Sequence, residues 1–242
     1  MSDRIIVVSS DGHAGLKIGD YKPYVDTKYH DFLDQAVAMQ VEAMTKAEER
    51  FLIKEINDEW RAPVERELRG AWDYSIRQEV LAADGIAAEI IYPDGITEMN
   101  TPPFGAGLGL NPQDAVPELQ WAGANAHNRW LAEFCANDPK RLIGVASIPL
   151  LFDIDQAIEA VRGCVAQGIK NVMIPTIWGT YPAYHHLRYD PFWQACEDLG
   201  VVINFHSGPA PMQEYFGEGF PMENCEHLMP GAMGGFVSEV TW

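Results

Sequence analysis

Arg141-Leu-Ile-Gly-Val-Ala-Ser-Ile148, then Ile154 to Gln167, then Ile169-Lys-Asn-Val-Met-Ile174 read in order as strand, helix and strand. Both apolar runs are short, carry β-branched residues and lack polar alternation, the pattern of strands covered on both faces. Between them Ile154, Ala157, Ile158, Val161 and Val165 recur at three- and four-residue steps, the apolar stripe of an amphipathic helix. Two strands joined through a helix of this length form a parallel pair.

The same rhythm continues outward on both sides. Toward the C-terminus, Pro191 to Leu199 reads as helix, Gly200 ends it, and Val201 to Phe205 is a fifth strand leading into His206. Toward the N-terminus, Asp114 to Cys135 reads as helix, with Pro117 in its first turn. A Gly- and Pro-rich loop precedes it over 94–113. Ile86 to Tyr92 is a strand closed by Pro93, and Ile76 to Ala83 a helix. The first strand is Ile5 to Val8, with Asp11-Gly-His13 in a loop after it. From about Asp31 to Trp60, the spacing of Phe32, Leu33, Val37, Met44, Phe51, Leu52 and Ile56 predicts an amphipathic helix with a break. That segment reads as a helical insertion at about 20–70 within one domain spanning 1–242.

The expectation is an α/β fold with five parallel strands ending near residues 9, 92, 148, 174 and 205. A closed (β/α)8 barrel takes about 250 residues, and here five strands already extend to His206. The segment after it is rich in Gly and Pro, with strand character only at Phe236-Val-Ser-Glu-Val-Thr241. The chain therefore reads either as a small open sheet or, the reading preferred, as a barrel interrupted near its middle, with an apolar edge left open.

With 17 Lys and Arg against 35 Asp and Glu, the net charge is −18, which opposes binding to nucleic acid phosphates. The run Ile5–Val8 is too short for a membrane span or a signal peptide. The four cysteines have no metal-type or redox-type spacing and read as buried free thiols. A cytoplasmic protein, without nucleic acid or membrane partners, is expected.

Asp11-x-His13 places a carboxylate and an imidazole two residues apart, so in extended backbone both project to one side. These donors suit Zn²⁺, Mn²⁺ or Fe²⁺. The alternative is an Asx-turn at Asp11, with His13 an ordinary loop residue. His206 also follows a buried strand, and in a parallel sheet the C-terminal ends share the rim where ligands gather. Trp178, Tyr181 and His185 follow the fourth strand as candidate substrate contacts, with scaffold packing or a surface position as alternatives. Arg61, Arg66 and Arg69 are candidates for pairing with a substrate carboxylate. Glu98 and Asn100 lie near the second-strand rim, and His30 and His127 read as surface or packing residues.

Ser10-Asp-Gly-His13, RQEVLAADGIAAEIIYP (77–93), NRWLAEFCANDPKRLIGVASIPL (128–150), AIEAVRGCVAQGIKNVMIP (157–175) and LRYDPFWQACEDLGVVINFHSG (187–208) together resemble the amidohydrolase superfamily. The branch is the one that includes aminocarboxymuconate-semialdehyde decarboxylase and related aromatic-acid decarboxylases. The resemblance implies a distorted TIM-barrel-like (β/α)8 fold with one divalent ion at the C-terminal rim, zinc foremost and manganese or iron as alternatives. The family's first-strand pair is His-x-His or Glu-x-His, and Asp11-x-His13 stands in its place; the fifth-strand ligand matches His206. His227 is not assigned the family's later catalytic histidine, and the family's late Asp has no counterpart. The implied activity is non-oxidative decarboxylation of a small carboxylated acid. The alternatives are hydrolysis of an amide, ester or lactone, or an inactive barrel fragment. A homo-oligomer is a further expectation.

Overall fold

Glu89, Ile90 and Ile91 stand beside Leu142, Ile143 and Gly144 in parallel register, within a five-stranded sheet. The structure is a computed structural model that describes residues 5–50, 54–94, 100–108, 115–176 and 181–206. Its strands are β1 (Val7–His13), β2 (Ile86–Tyr92), β3 (Leu142–Ser147), β4 (Asn171–Met173) and β5 (Val202–Asn204), in spatial order β1-β2-β3-β4-β5. All four pairings are parallel, so every C-terminal end lies on one rim.

The helices are α1 (His30–Arg50), α2 (Lys54–Arg61), α3 (Glu65–Leu68), α4 (Tyr74–Ala83), α5 (Pro117–Cys135), α6 (Ile154–Ala166) and α7 (Asp190–Leu199). The last four each precede a strand, as the alternating pattern predicts. Local chemistry marks their starts. Asp73 accepts hydrogen bonds from the Ser75 and Ile76 amides at 3.0 and 3.3 Å, and Asp153 from Gln156 at 2.8 Å. Pro117 occupies the first turn of α5, where its missing N–H is not needed. Leu131, Ala146, Ile148, Val161, Val172 and Phe192 are fully buried between these helices and the sheet.

The fold class agrees with the sequence, and four strand ends fall within a residue or so of expectation. β1 differs. It does not stop near residue 9 but runs through Asp11-Gly-His13, because Gly12 pairs with Ile91 and His13 with Tyr92. Between Ser9 and Gly12 it advances three residues while β2 advances two, a β-bulge at Ser10–Asp11. Pairing with β2 overrides the local turn preference of Asp-Gly.

α1 also departs from a simple core helix. Leu33 is fully buried, but Phe32, Met39 and Val41 are half exposed or more. Trp178, Cys225, His227, Glu98, Asp114 and the strand expected at Phe236–Thr241 lie outside the described residues.

Candidate metal centre

Asp11, His13 and His206 converge although their strands are the two outer members of the sheet order. Five flat strands would put β1 and β5 about 19 Å apart. Instead His206 Nε2 lies 3.2 Å from Asp11 Oδ1, and His13 Nε2 lies 3.5 Å from the same oxygen. The three ligand-type atoms fall within 4.8 Å of one another. Only a curled sheet, a half-barrel, allows this.

Surrounding groups orient the two imidazoles. The Pro93 carbonyl lies 3.0 Å from His13 Nδ1 and can only accept, so that nitrogen carries the proton and Nε2 keeps its lone pair for the centre. The Tyr92 ring packs beside both histidines, with centroids 6.0 Å from His13 and 4.9 Å from His206, while the two imidazoles meet edge to face at 5.1 Å. Its hydroxyl donates to Asn204 Oδ1 at 3.2 Å, and Asn204 Nδ2 donates to the Val172 carbonyl at 3.2 Å. Strands β2, β4 and β5 are thus tied together beneath the centre. Burial and the negative charge of Asp11 raise the Tyr92 phenol, which stays protonated.

Asp94 follows the rim of β2 in a left-handed conformation (φ 69°), which Asp tolerates. It accepts from the Leu108 amide at 2.7 Å. Burial raises its carboxyl above the usual range, opposed by hydrogen bonds from Leu108 and Thr101 and by His13 and His206.

Beneath Asp11-Gly12-His13 lies a second ion pair. Arg77 Nε and Nη2 donate to Glu89 Oε1 and Oε2 at 2.5 and 2.8 Å. Arg77 Nη1 donates to the carbonyls of His13 and Gly70, both at 3.0 Å. Sequence reasoning passed over both residues, although a signal existed. A Glu inside Ile86-Ala-Ala-Glu-Ile-Ile-Tyr92 must find a partner if the strand is buried. Arg77 stands four residues before buried Leu81, on the same helix face.

The remaining candidates lie elsewhere. Tyr181 packs on Phe152, with ring centroids 6.5 Å apart. It lines a cleft of about 540 Å³ with Tyr29, Trp121 and Asp153, and none of the three converging residues lines that cleft. His185 is exposed. Arg66 pairs with Glu79 and Arg69 with Asp73, on the surface. Asn100 is buried and donates to the Gly15 carbonyl at 2.9 Å. His30 bonds the Val25 carbonyl, and His127 is fully buried. Cys135, Cys164 and Cys196 are buried free thiols, raised by desolvation to about 12, 12 and 11.

A parallel half-barrel that gathers an Asp-x-His strand and a distant His at its C-terminal rim belongs to the α/β barrels, in which ligands collect at that rim. Residues 88–241 match the family described as Amidohydrolase, more than half of the chain, and the protein belongs to that family. A 2-amino-3-carboxymuconate-6-semialdehyde decarboxylase of Dictyostelium discoideum is 25% identical over 175 residues, covering 68% of this chain and 44% of the relative. A gamma-resorcylate decarboxylase of Rhodococcus jostii (strain RHA1) is 38% identical over 103 residues, covering 38% of this chain and 31% of the relative. The chain thus spans less than half the length of these relatives. Among solved structures, the 5-carboxyvanillate decarboxylase of Novosphingobium aromaticivorans, complexed with manganese and 4-hydroxy-3-methoxy-5-nitrobenzoic acid, aligns with a TM-score of 0.55 at 15% identity. That alignment covers 93% of this chain and 55% of the other, and bears on the fold alone.

Proposed function

We propose that this chain is the metal-binding half-barrel of a divalent-metal-dependent enzyme that decarboxylates a small aromatic or unsaturated acid without oxidation. The observation that supports the reading best is the convergence of Asp11, His13 and His206 within 4.8 Å. One carboxylate oxygen and two imidazole nitrogens suit zinc, manganese or ferrous iron. Donors about 2.1 Å from one ion stand about 3.4 Å apart around it in tetrahedral geometry, close to the 3.2 and 3.5 Å separations here. Zinc is the first choice and manganese the alternative, the latter favoured by the manganese-bound 5-carboxyvanillate decarboxylase.

When bound, the ion supplies positive charge opposite a substrate carboxylate and its neighbouring oxygen. The chain's own residues prepare that position. Pro93 holds the His13 proton on Nδ1, Asp11 offers an acceptor-only carboxylate, and Tyr92 packs against both imidazoles, limiting their rotation. Trp178, Tyr181 and His185, which follow β4 in sequence, are proposed substrate contacts; Tyr181 would serve from the cleft beside Phe152, not from the centre itself. We further assign residues 1–242 to one barrel portion with a helical insertion at about 20–70, in a cytoplasmic protein that self-associates. No helix among the described residues is long and apolar enough to cross a membrane.

The test offers the manganese- or zinc-loaded protein a panel of hydroxybenzoates and unsaturated acids beside a panel of amides, esters and lactones. CO₂ release without oxygen uptake from labelled water is expected. Cleavage of amides or lactones alone would replace this reading with a hydrolase. Substituting His206→Ala should abolish stoichiometric metal while circular dichroism stays close to wild type; full metal retention would place the ion elsewhere.

A further inference from the structure

We propose that Arg77 and Glu89 are positioning residues for the first-strand ligand pair, holding Asp11-Gly12-His13 in the geometry that receives the ion. This rests on reading Asp11, His13 and His206 as metal ligands. Three observations carry it. The ladder between β1 and β2 is broken by the bulge at Ser10–Asp11, so regular pairing alone does not hold the strand where its ligands begin. Glu89 stands in register with Ser9, at the edge of that bulge. Arg77 reaches from α4 and donates to the His13 carbonyl, fastening the far side of the bulge where pairing with β2 resumes.

The tripeptide also lies directly on the ion pair. A Cβ at Gly12 would come within 2.5 Å of Glu89 Oε2 and 3.3 Å of Arg77 Nη2, so only glycine lets the strand descend this far. The pair is almost wholly buried, with side-chain exposures of 9% and 4%. Desolvation offsets most of the attraction in such a pair, and apolar residues of similar volume often stabilise as well. Fold stability is therefore a poor reason for charges here. What apolar residues cannot supply is a rigid, planar set of donors serving a carboxylate and two carbonyls at once. A purely structural role, fastening α4 to the sheet, would alter stability and leave metal affinity alone.

The experiment compares wild type with the double variant Arg77→Met/Glu89→Leu, which removes both charges, and with Arg77→Lys, which keeps the charge and loses the planar fork. Mn²⁺ affinity is measured by calorimetry, and the His13 tautomer in metal-free protein by ¹⁵N NMR. We expect folded variants whose Mn²⁺ affinity falls about 10–100-fold, the range for groups that orient a ligand. His13 should also lose its preference for the Nδ1–H form. Wild-type affinity together with a wild-type tautomer in a folded variant overturns the proposal, even if its melting temperature has dropped. Should the double variant fail to fold, Arg77→Lys decides by the same two readouts. A wild type that takes up no Mn²⁺ overturns the metal reading alone, and the His13 tautomer then decides whether Arg77 and Glu89 position that residue.

Discussion

His127 is fully buried in α5, and its Nδ1 lies 2.9 Å from the Tyr21 hydroxyl. Tyr21 already accepts from the Leu16 amide at 3.1 Å, so its own proton is free to go to the imidazole. That leaves the proton of neutral His127 on Nε2, a buried nitrogen with no hydrogen-bond partner. Desolvation lowers the His127 pKa to about 3. Below about pH 6.5 the unfolded chain therefore takes up a proton that the folded chain refuses, and stability falls with pH until about pH 3. Each unit in that window costs about 1.4 kcal/mol. Urea unfolding at pH 7, 6, 5 and 4 should show this decline, and His127→Gln, which still accepts from Tyr21, should make it shallower. Identical slopes for the two proteins would show that His127 does not contribute.

Helix α5 meets the loop before it by direct backbone contact. A Cβ at Gly123 would sit 2.0 Å from the Pro103 carbonyl oxygen, and backbone gives way less readily than a side chain. The contact sets the height of α5 over the Pro103–Gly105 turn, and Ser147 Oγ, at the end of β3, donates to the Ala106 carbonyl beside it at 2.5 Å. Gly123→Ala should therefore destabilise by about 1–3 kcal/mol through overpacking, despite alanine's better helix propensity. A melting temperature equal to or above wild type would show that the loop adjusts without strain. The start of α6 offers a milder case. Asp153→Ala removes the bond to Gln156 and should cost about 1 kcal/mol, read as a lower denaturation midpoint with unchanged slope.

The whole sheet presents two outer strands among the described residues. Ile5 and Ile6 are 87% and 77% exposed, and Val7 and Val8 about half exposed, a continuous apolar run along β1 and its approach. Val202 on β5 is also more than half exposed. Such edges pair with other chains unless charge or cover prevents it. The net charge of −18 opposes that pairing at low ionic strength, and salt screens it. Sedimentation equilibrium should thus show average mass rising with NaCl, and Ile6→Lys should suppress the rise. A monomer at all salt concentrations would mean that the run is covered.

At this scale the division between sequence and tertiary structure is plain. Strands 2 to 5, the helices between them and the Pro117 start of α5 were legible, because periodicity and turn residues report on neighbours within one element. Asp11, His13 and His206 could be singled out, since each lies at or just beyond the C-terminal end of an apolar run. Their approach to 3.2 and 3.5 Å was not in any local pattern. It depends on the curl of five strands, a sum of small twists over the whole sheet. The same holds for the bulge that carries β1 on to His13, and for Arg77 meeting Glu89 beneath it. A charge in an apolar strand announces that some partner exists, but which one is decided only when helix and sheet pack and water leaves the space between them.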